Sequence, residues 1–263
     1  MSKKCIKLIQ ITDCHLGKDK GQALLSMDPD ESLHDVLDLL DNNHPTNDAM
    51  IVTGDLVNDP VLPAYQRLHE TLSERVTCPF NWLPGNHDAP DVMESFGRDV
   101  NAKTKVLGEW VLIMLNSRVE GSTYGYLKDT ELTFLATTLE QYTDKHIMIC
   151  LHHQPVPIGS HWMDNYIVRN AQEFWRIIDQ HPQVKMVIWG HVHQQFDDQY
   201  NDIALLAAPS TCIQFTPGKR DFEIENSMPG YRWFELHHDG RFSTGVERVP
   251  VKDYGIDFQS KGY

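Results

Sequence analysis

The sequence predicts an α/β fold in which two sheets pack on each other with helices outside both. Three observations carry this expectation. Short apolar runs alternate with segments of helical periodicity, the pattern of strand-helix-strand units. Five of those runs end abruptly in residues that bind metals, and the last quarter of the chain turns to β patterns. The five junctions are KLIQIT into Asp13-Cys14-His15, AMIVT into Gly54-Asp55, FNWLP into Gly85-Asn86-His87, HIMIC into His152-His153, and VKMVIW into Gly190-His191-Val192-His193. In an open α/β sheet, groups that follow the carboxyl ends of neighbouring strands converge in one crevice, so blocks far apart in sequence can build a single site.

The helical segments separate these strands. Asp28-Pro29-Asp30-Glu31 reads as a capped start, with Asp28 as N-cap, Pro29 at the first helical position and Glu31 completing a capping box. Leu33, Val36, Leu37 and Leu40 then mark one apolar face. A second helix is expected to begin near Asp59-Pro60 and to bury Val61, Tyr65, Leu68 and Leu72. Leu132, Leu135 and Leu139 mark a third. Asn170 followed by Glu173 opens a fourth, which turns Phe174, Trp175, Ile177 and Ile178 inward before His181-Pro182 stops it. After the last motif, QQFDDQY, IALLAA and CIQF read as strands, and YRWFELHHDGRFSTGVERVPV reads as a hairpin about Asp239-Gly240. With the strand after Trp110, these suggest the second sheet. One domain is expected over residues 1–250, and the polar tail over 251–263 is expected to be loosely held.

Composition narrows the partners. The 263 residues, 41% apolar, are enough for a proper core, and the formal charge is −14. No Lys/Arg cluster interrupts that acidity, which argues against nucleic acid and for a small substrate attracted locally by metal. The five cysteines are odd in number, scattered and without a C-x-x-C pair, so a reducing cytoplasm is the expected setting. The first residues turn directly into a strand pattern rather than a signal peptide, and no window approaches a membrane span. No pattern in the sequence fixes the oligomeric state.

Carboxylates, imidazoles and one amide in this number suit two divalent cations. Asp13 and His15 alternate on an extended segment, and His191 and His193 repeat the spacing. Glycines 54, 85 and 190 stand where a sharp turn or close backbone approach would exclude a Cβ. The blocks D-x-H, GD, GNHD, HH and GHxH, in this order over residues 8 to 215, resemble the calcineurin-like metallophosphoesterases. The resemblance implies a four-layer αββα sandwich of two mixed sheets with a dinuclear centre. On it, Asp13, His15 and His193 would bind one metal, Asn86, His152 and His191 the other, and Asp55 would bridge them. His87 would be a non-ligand beside the substrate and His153 would lie in the outer shell. Sequence alone leaves the ligand of the His152-His153 pair open, and His152 is favoured. Fe, Mn and Zn all suit the donors.

NSRVEGSTYGYL, HHQPVPIGSHWMD, GHVHQ and APSTCIQFTP are similar to segments of the bacterial class III cyclic-nucleotide phosphodiesterases, which hydrolyse 3′,5′-cyclic AMP. Three positions depart from the pattern: Gln154 replaces a proline, Asn116 an aspartate, and Cys14 a small hydroxyl residue. The expected chemistry is attack on a cyclic nucleotide by a hydroxide bridging the metals, with Asn86 helping to hold the developing charge and His87 protonating the leaving oxygen to give 5′-AMP. His15, Asp55, Asn86, His87, His153 and His193 are the candidate substrate contacts, and Asp55 and His87 the candidate catalytic pair. His161, in the Pro/Gly-rich loop after the His pair, is balanced between substrate contact and surface. Trp162, Trp175 and Trp189 read as core, and Cys14 as an oxidation-sensitive position. The competing functions are hydrolysis of another small phosphate ester, such as a glycerophosphodiester, and a non-catalytic scaffold of the same fold.

Overall fold

The computed structural model describes residues 5–262. Its first half runs β1 (Cys5–Ile11), α1 (Pro29–Asn43), β2 (Ala49–Val52), α2 (Leu62–Arg75), β3 (Phe80–Trp82), the single turn α3 (Pro90–Met93), β4 (Thr104–Leu107) and β5 (Trp110–Met114). The second half runs α4 (Asp129–Gln141), β6 (His146–Cys150), α5 (Ala171–Ile178), β7 (Val184–Trp189), β8 (Phe196–Tyr200), β9 (Ile203–Ala207), β10 (Gln214–Phe215), β11 (Ile224–Glu225), β12 (Gly230–His237) and β13 (Phe242–Arg248).

Alternation along the motif strands sorts these elements into four layers, because successive side chains of a strand point to opposite faces. Leu8 and Ile51 face Leu112, Met148 and Ile188 between the sheets. Their neighbours Ile9, Ile11, Met50 and Val52 face the other way, onto Leu33, Val36 and Leu37 of α1 and Tyr65 and Leu68 of α2. On the far side, Val111, Ile113, Ile147 and Ile149 pack against Leu135 and Leu139 of α4 and Phe174 and Ile178 of α5. Both faces of each motif strand are therefore buried, which is why those runs are continuously apolar.

The two large sheets have orders β13-β12-β1-β2-β3 and β4-β5-β6-β7-β9-β8. Both are mixed: β1, β2 and β3 run parallel while β12 and β13 add antiparallel, and β4 and β8 are antiparallel edges on parallel β5, β6, β7 and β9. This corrects the expectation that the C-terminal strands make the second sheet. The β12–β13 hairpin takes the open edge of β1, whereas β8 and β9 extend the sheet of β6 and β7. Strand periodicity specifies which face is buried but not which edge a strand joins, so the sequence was silent on the division.

The helices follow their capping chemistry with small shifts. Asp28 accepts from the backbone N–H groups of Asp30 and Glu31, but Glu31 pairs with Lys252 at 2.8 Å and does not serve as the expected box. The second helix starts at Leu62, later than Asp59-Pro60, because extended Val61 is its N-cap. In α5, Phe174 and Ile178 are buried, whereas Trp175 and Ile177 are half-buried against the core. The start of the tail is anchored: Tyr254 is buried, its hydroxyl donates to Asp35 at 2.7 Å, and Lys252 pairs with Asp35 at 2.6 Å. Tyr263 lies outside the described residues.

Two polar side chains tie one sheet to the other. Gln10 on β1 donates both to Thr53 Oγ1 and across to the carbonyl of Trp189 on β7, each at 2.9 Å. Arg232 on β12 is fully buried and donates to the Ala207 and Phe196 carbonyls while gripping Asp197 at 2.9 and 3.0 Å. Arg232→Ala, which strips these cross-sheet acceptors of their donor, is expected to lower the unfolding free energy by about 3 kcal/mol in urea titration. Arg232→Lys is expected to recover little, because an ammonium cannot reproduce the planar fork.

Candidate metal centre

The carboxyl ends of β1, β2, β6 and β7 and the loop after β3 meet where the two sheets adjoin. Backbone hydrogen bonds stitch the loops together: Asp13 N–H donates to Gly54 O at 3.0 Å, His15 N–H to Asp55 O at 3.0 Å and Gly190 N–H to His152 O at 3.1 Å. Three of these strands, β1, β2 and β7, run into an unusual backbone. Five of the eight non-glycine residues with positive φ among the described residues are Asp13, His15, Asp55, His191 and His193, all between 46° and 66°. Such left-handed conformations cost of order 1–3 kcal/mol each and persist where surrounding contacts enforce them. Here they reverse the chain sharply enough that both members of each D-x-H or H-x-H pair reach the same crevice. The glycine punctuation has the expected cause: a Cβ on Gly190 would collide with Thr12 Oγ1 and come within 2.8 Å of Thr53 O, and one on Gly85 would collide with the Asp55 carboxylate.

The side chains fall into two groups around Asp55. On one side, ligating atoms of Asp13, His15 and His193 lie within 4.8 Å of one another, with His15 Nε2 at 3.1 Å from His193 Nε2 and His193 Nε2 at 3.4 Å from Asp13 Oδ1. On the other, His152 Nε2 is 3.2 Å from both Asp55 Oδ2 and Asn86 Oδ1, and the His191 ring lies 5.0 Å from that of His152. Asp55 Oδ2 also stands 3.8 Å from His15 Nε2, so one carboxylate faces both groups.

These residues fit two cations, and the second contacts of the histidines say why. His152 Nδ1 lies 2.8 Å from Thr53 O and His193 Nδ1 lies 2.9 Å from Ile213 O. A carbonyl requires Nδ1 to donate, which in the neutral imidazole leaves a bare lone pair on each Nε2. The His152 lone pair then faces a carboxylate and an amide oxygen, an arrangement that repels unless a cation or a proton lies among them. His191 Nε2 is buried and has no hydrogen-bond partner among the described residues. Asp13 is anchored differently: its two carboxylate oxygens accept from His191 N–H at 3.0 and 2.9 Å, and Oδ2 also from the Thr12 hydroxyl at 2.7 Å.

Electrostatics follow from burial. For Asp55, burial alone would raise the carboxyl pKa, but the imidazoles of His152, His87 and His15 outweigh it and hold the group well below the usual carboxylate range. Burial lowers His15, His153 and His191 well below an ordinary histidine. His152 is the exception: burial lowers it, yet the Asp55 carboxylate prevails and raises it to about 9. A proton there does part of the work that a dication would do.

The remaining candidates divide. Asn86 and His87 are half-buried at the rim, His87 with its backbone N–H donating to Asp55 Oδ1 at 2.9 Å and its ring 5.0 Å from that of His15. His153 is fully buried, with Nδ1 2.7 Å from Ser117 Oγ, and a ring nitrogen of it lies within 4.8 Å of ligating atoms of His152 and His191. His161 is exposed and its backbone N–H donates to Lys219 O; it does not line the cleft over the metal groups, whereas its neighbour Trp162 does. Trp162 is thus corrected from core to cleft wall. Cys14 is corrected as well: its thiol is buried among apolar side chains, and burial pushes its pKa up to about 12, the opposite of a reactive thiolate.

Sequence reasoning missed Asp88. Its buried carboxylate accepts from Gly85 N–H at 2.8 Å, Leu56 N–H at 3.2 Å and the Tyr65 hydroxyl at 3.1 Å, fixing the turn that presents Asn86 and His87. Burial and the nearby Asp55 carboxylate raise it to about 6. The final letter of GNHD was the available signal.

The sequence profile of the calcineurin-like phosphoesterases matches residues 6–195. The chain belongs to this family. It is 38% identical over 260 residues to the 3′,5′-cyclic adenosine monophosphate phosphodiesterase CpdA of Pseudomonas aeruginosa, covering 98% of this chain and 95% of that protein. Its identity to the CpdA of Escherichia coli K12 is 37% over 262 residues, again 98% and 95% of the two chains. Among solved structures, a dimetal phosphatase from Danio rerio superposes with a TM-score of 0.64 over 94% of this chain and 100% of its own, at 13% identity, a likeness of fold. The family resemblance read from the motif blocks is therefore borne out. Gly190→Ala is expected to displace Thr12 and Asp13 and to lower the metal bound per chain, measured by elemental analysis after gel filtration, while far-ultraviolet circular dichroism stays near that of the parent.

Proposed function

We propose that this protein hydrolyses 3′,5′-cyclic AMP to 5′-AMP at a dinuclear centre in which Asp13, His15 and His193 hold one dication, Asn86, His152 and His191 the other, and Asp55 both. The observation that carries the reading is the convergence of these donors about one shared carboxylate: ligating atoms of Asp13, His15 and His193 lie within 4.8 Å of one another, as do those of His152 and His191, and His152 Nε2 is 3.2 Å from both Asp55 and Asn86. The substrate comes from the near full-length similarity to the two CpdA enzymes. Two dications there would acidify a water for use as nucleophile and draw charge off the phosphoryl oxygens. Residues 1–250 act as one catalytic domain in this reading, and Fe, Mn and Zn all fit the donors.

The chain's own residues do the rest. Asp55, kept ionised among imidazoles, fixes the separation of the two donor groups. Asn86, presented by the turn that Asp88 fastens, orients the phosphoryl group at the rim. His87, beside Asp55 and outside the fully buried ring of histidines, protonates the departing 3′-oxygen, a role worth about 10²–10⁴ in rate. The net charge of −14 favours a small nucleotide over a polynucleotide, whose phosphates would need a basic surface. Five free cysteines suit a reducing cytoplasm.

His87→Ala is expected to reduce kcat with 3′,5′-cyclic AMP by about 10²–10⁴ while the metal content of the purified protein is retained; turnover equal to that of the parent would remove His87 from the reaction. Chelation is expected to abolish turnover, and Mn, Fe or Zn readdition to restore it, with 5′-AMP identified by chromatography. Glycerophosphodiesters, 2′,3′-cyclic AMP and a simple monoester, assayed alongside, are expected to turn over more slowly. A faster glycerophosphodiester would shift the substrate to the competing small-ester reading.

A further inference from the structure

Beside the donor groups the cleft has a wall that the chemistry at phosphorus does not use. Phe215 lies flat on the His193 ring, with centroids 4.2 Å apart and planes inclined by 12°, and its N–H donates to His193 O. Trp162 meets Phe215 edge-on at 5.1 Å and Phe222 edge-on at 5.2 Å, and the two phenylalanines meet at 5.4 Å. All three line the same cleft as Asp55, Asn86 and His191. Phe215 is buried, but Trp162 and Phe222 keep part of their surface open. Aromatic surface left open in a polar cleft beside the donor groups is the pattern of a ligand subsite.

We propose that Trp162, Phe222 and Phe215 form the subsite for the purine base and so determine preference for a nucleotide over a diester without a base. This rests on the phosphodiesterase reading above and extends it from the reacting phosphorus to the group one ribose away. Asp55, Asn86 and His191, where a phosphate would bind, line the same cleft as the aromatic wall, which puts that wall in the space open to the nucleoside. Base–aromatic stacking is worth about 1–3 kcal/mol per base, enough to set a preference of roughly one to two orders of magnitude. The two phenylalanines bound the stack, and Trp162 supplies its largest face.

The test compares 3′,5′-cyclic AMP with ribose 3′,5′-cyclic phosphate, which carries the same reacting diester and no base. The parent is expected to favour cyclic AMP in kcat/KM, and Trp162→Leu or Phe222→Leu to cut the ratio of the two kcat/KM values about tenfold, mainly through KM for cyclic AMP. Trp162→Phe, which keeps a ring, is expected to retain most of the ratio and guards against a packing effect. Calorimetric titration of the metal-loaded proteins with 5′-AMP is expected to follow the same order without relying on turnover. A ratio unchanged in both leucine variants, or equal use of the two diesters by the parent, overturns the subsite while leaving the phosphodiesterase standing. A metal-loaded parent that hydrolyses neither diester overturns both.

Discussion

Everything at the centre of this molecule depends on one electrostatic arrangement: the Asp55 carboxylate buried out of water between imidazoles from both sheets. Burial would neutralise an isolated carboxylate; the flanking rings keep it charged, and it in turn holds His152 basic. The second ring nitrogens are committed to backbone carbonyls of Thr53 and Ile213, so the rings cannot rotate to satisfy Asp55 and the nearby oxygens in another way. The remaining lone pairs converge, and a positive charge is what completes them. Geometry, tautomer and charge are therefore one problem with one solution.

That solution requires two sheets to stay in register. Asp13, Asp55 and the Asn86 turn come from one sheet, and His152, His191 and His193 from the other. The apolar layer between them supplies most of the adhesion but little specificity of alignment. Gln10 and Arg232 supply alignment: each stands on one sheet and donates to main-chain carbonyls of the other. Removing a buried donor of this kind costs more than the net worth of its bonds, because the abandoned carbonyls remain dry.

What the sequence revealed and withheld divides along physical lines. Periodicity and caps made α1 legible almost to the residue, and apolar runs ending in Asp, Asn and His exposed the motif strands, because burial on both faces leaves no other reading for such runs. The glycines at 85 and 190 were legible because a missing Cβ is a statement about space. Long-range edge choice was not legible: nothing in YRWFELH says that it joins β1 and not β9. Nor was the facing of Trp162 read correctly, although its polar loop GSHWMDN differs from the apolar run VKMVIW that carries Trp189: a residue type common in cores was given more weight than its surroundings. Asp88 was visible as a letter, but its role as the fastener of a turn depends on Leu56 and Tyr65, which the sequence sets far away. Cys14 misled for the opposite reason: adjacency to ligands suggested reactivity, yet between the left-handed Asp13 and His15 its thiol is buried in the apolar core.

The left-handed backbone at Asp13, His15, Asp55, His191 and His193 has a consequence for how such a protein is improved. Glycine would relax each of these positions, so selection for thermal robustness alone would reward erasing the very side chains that converge there. Hardening this scaffold is therefore best sought in the outer helices and away from the strand ends, where relief of conformational tension and loss of chemistry are the same event.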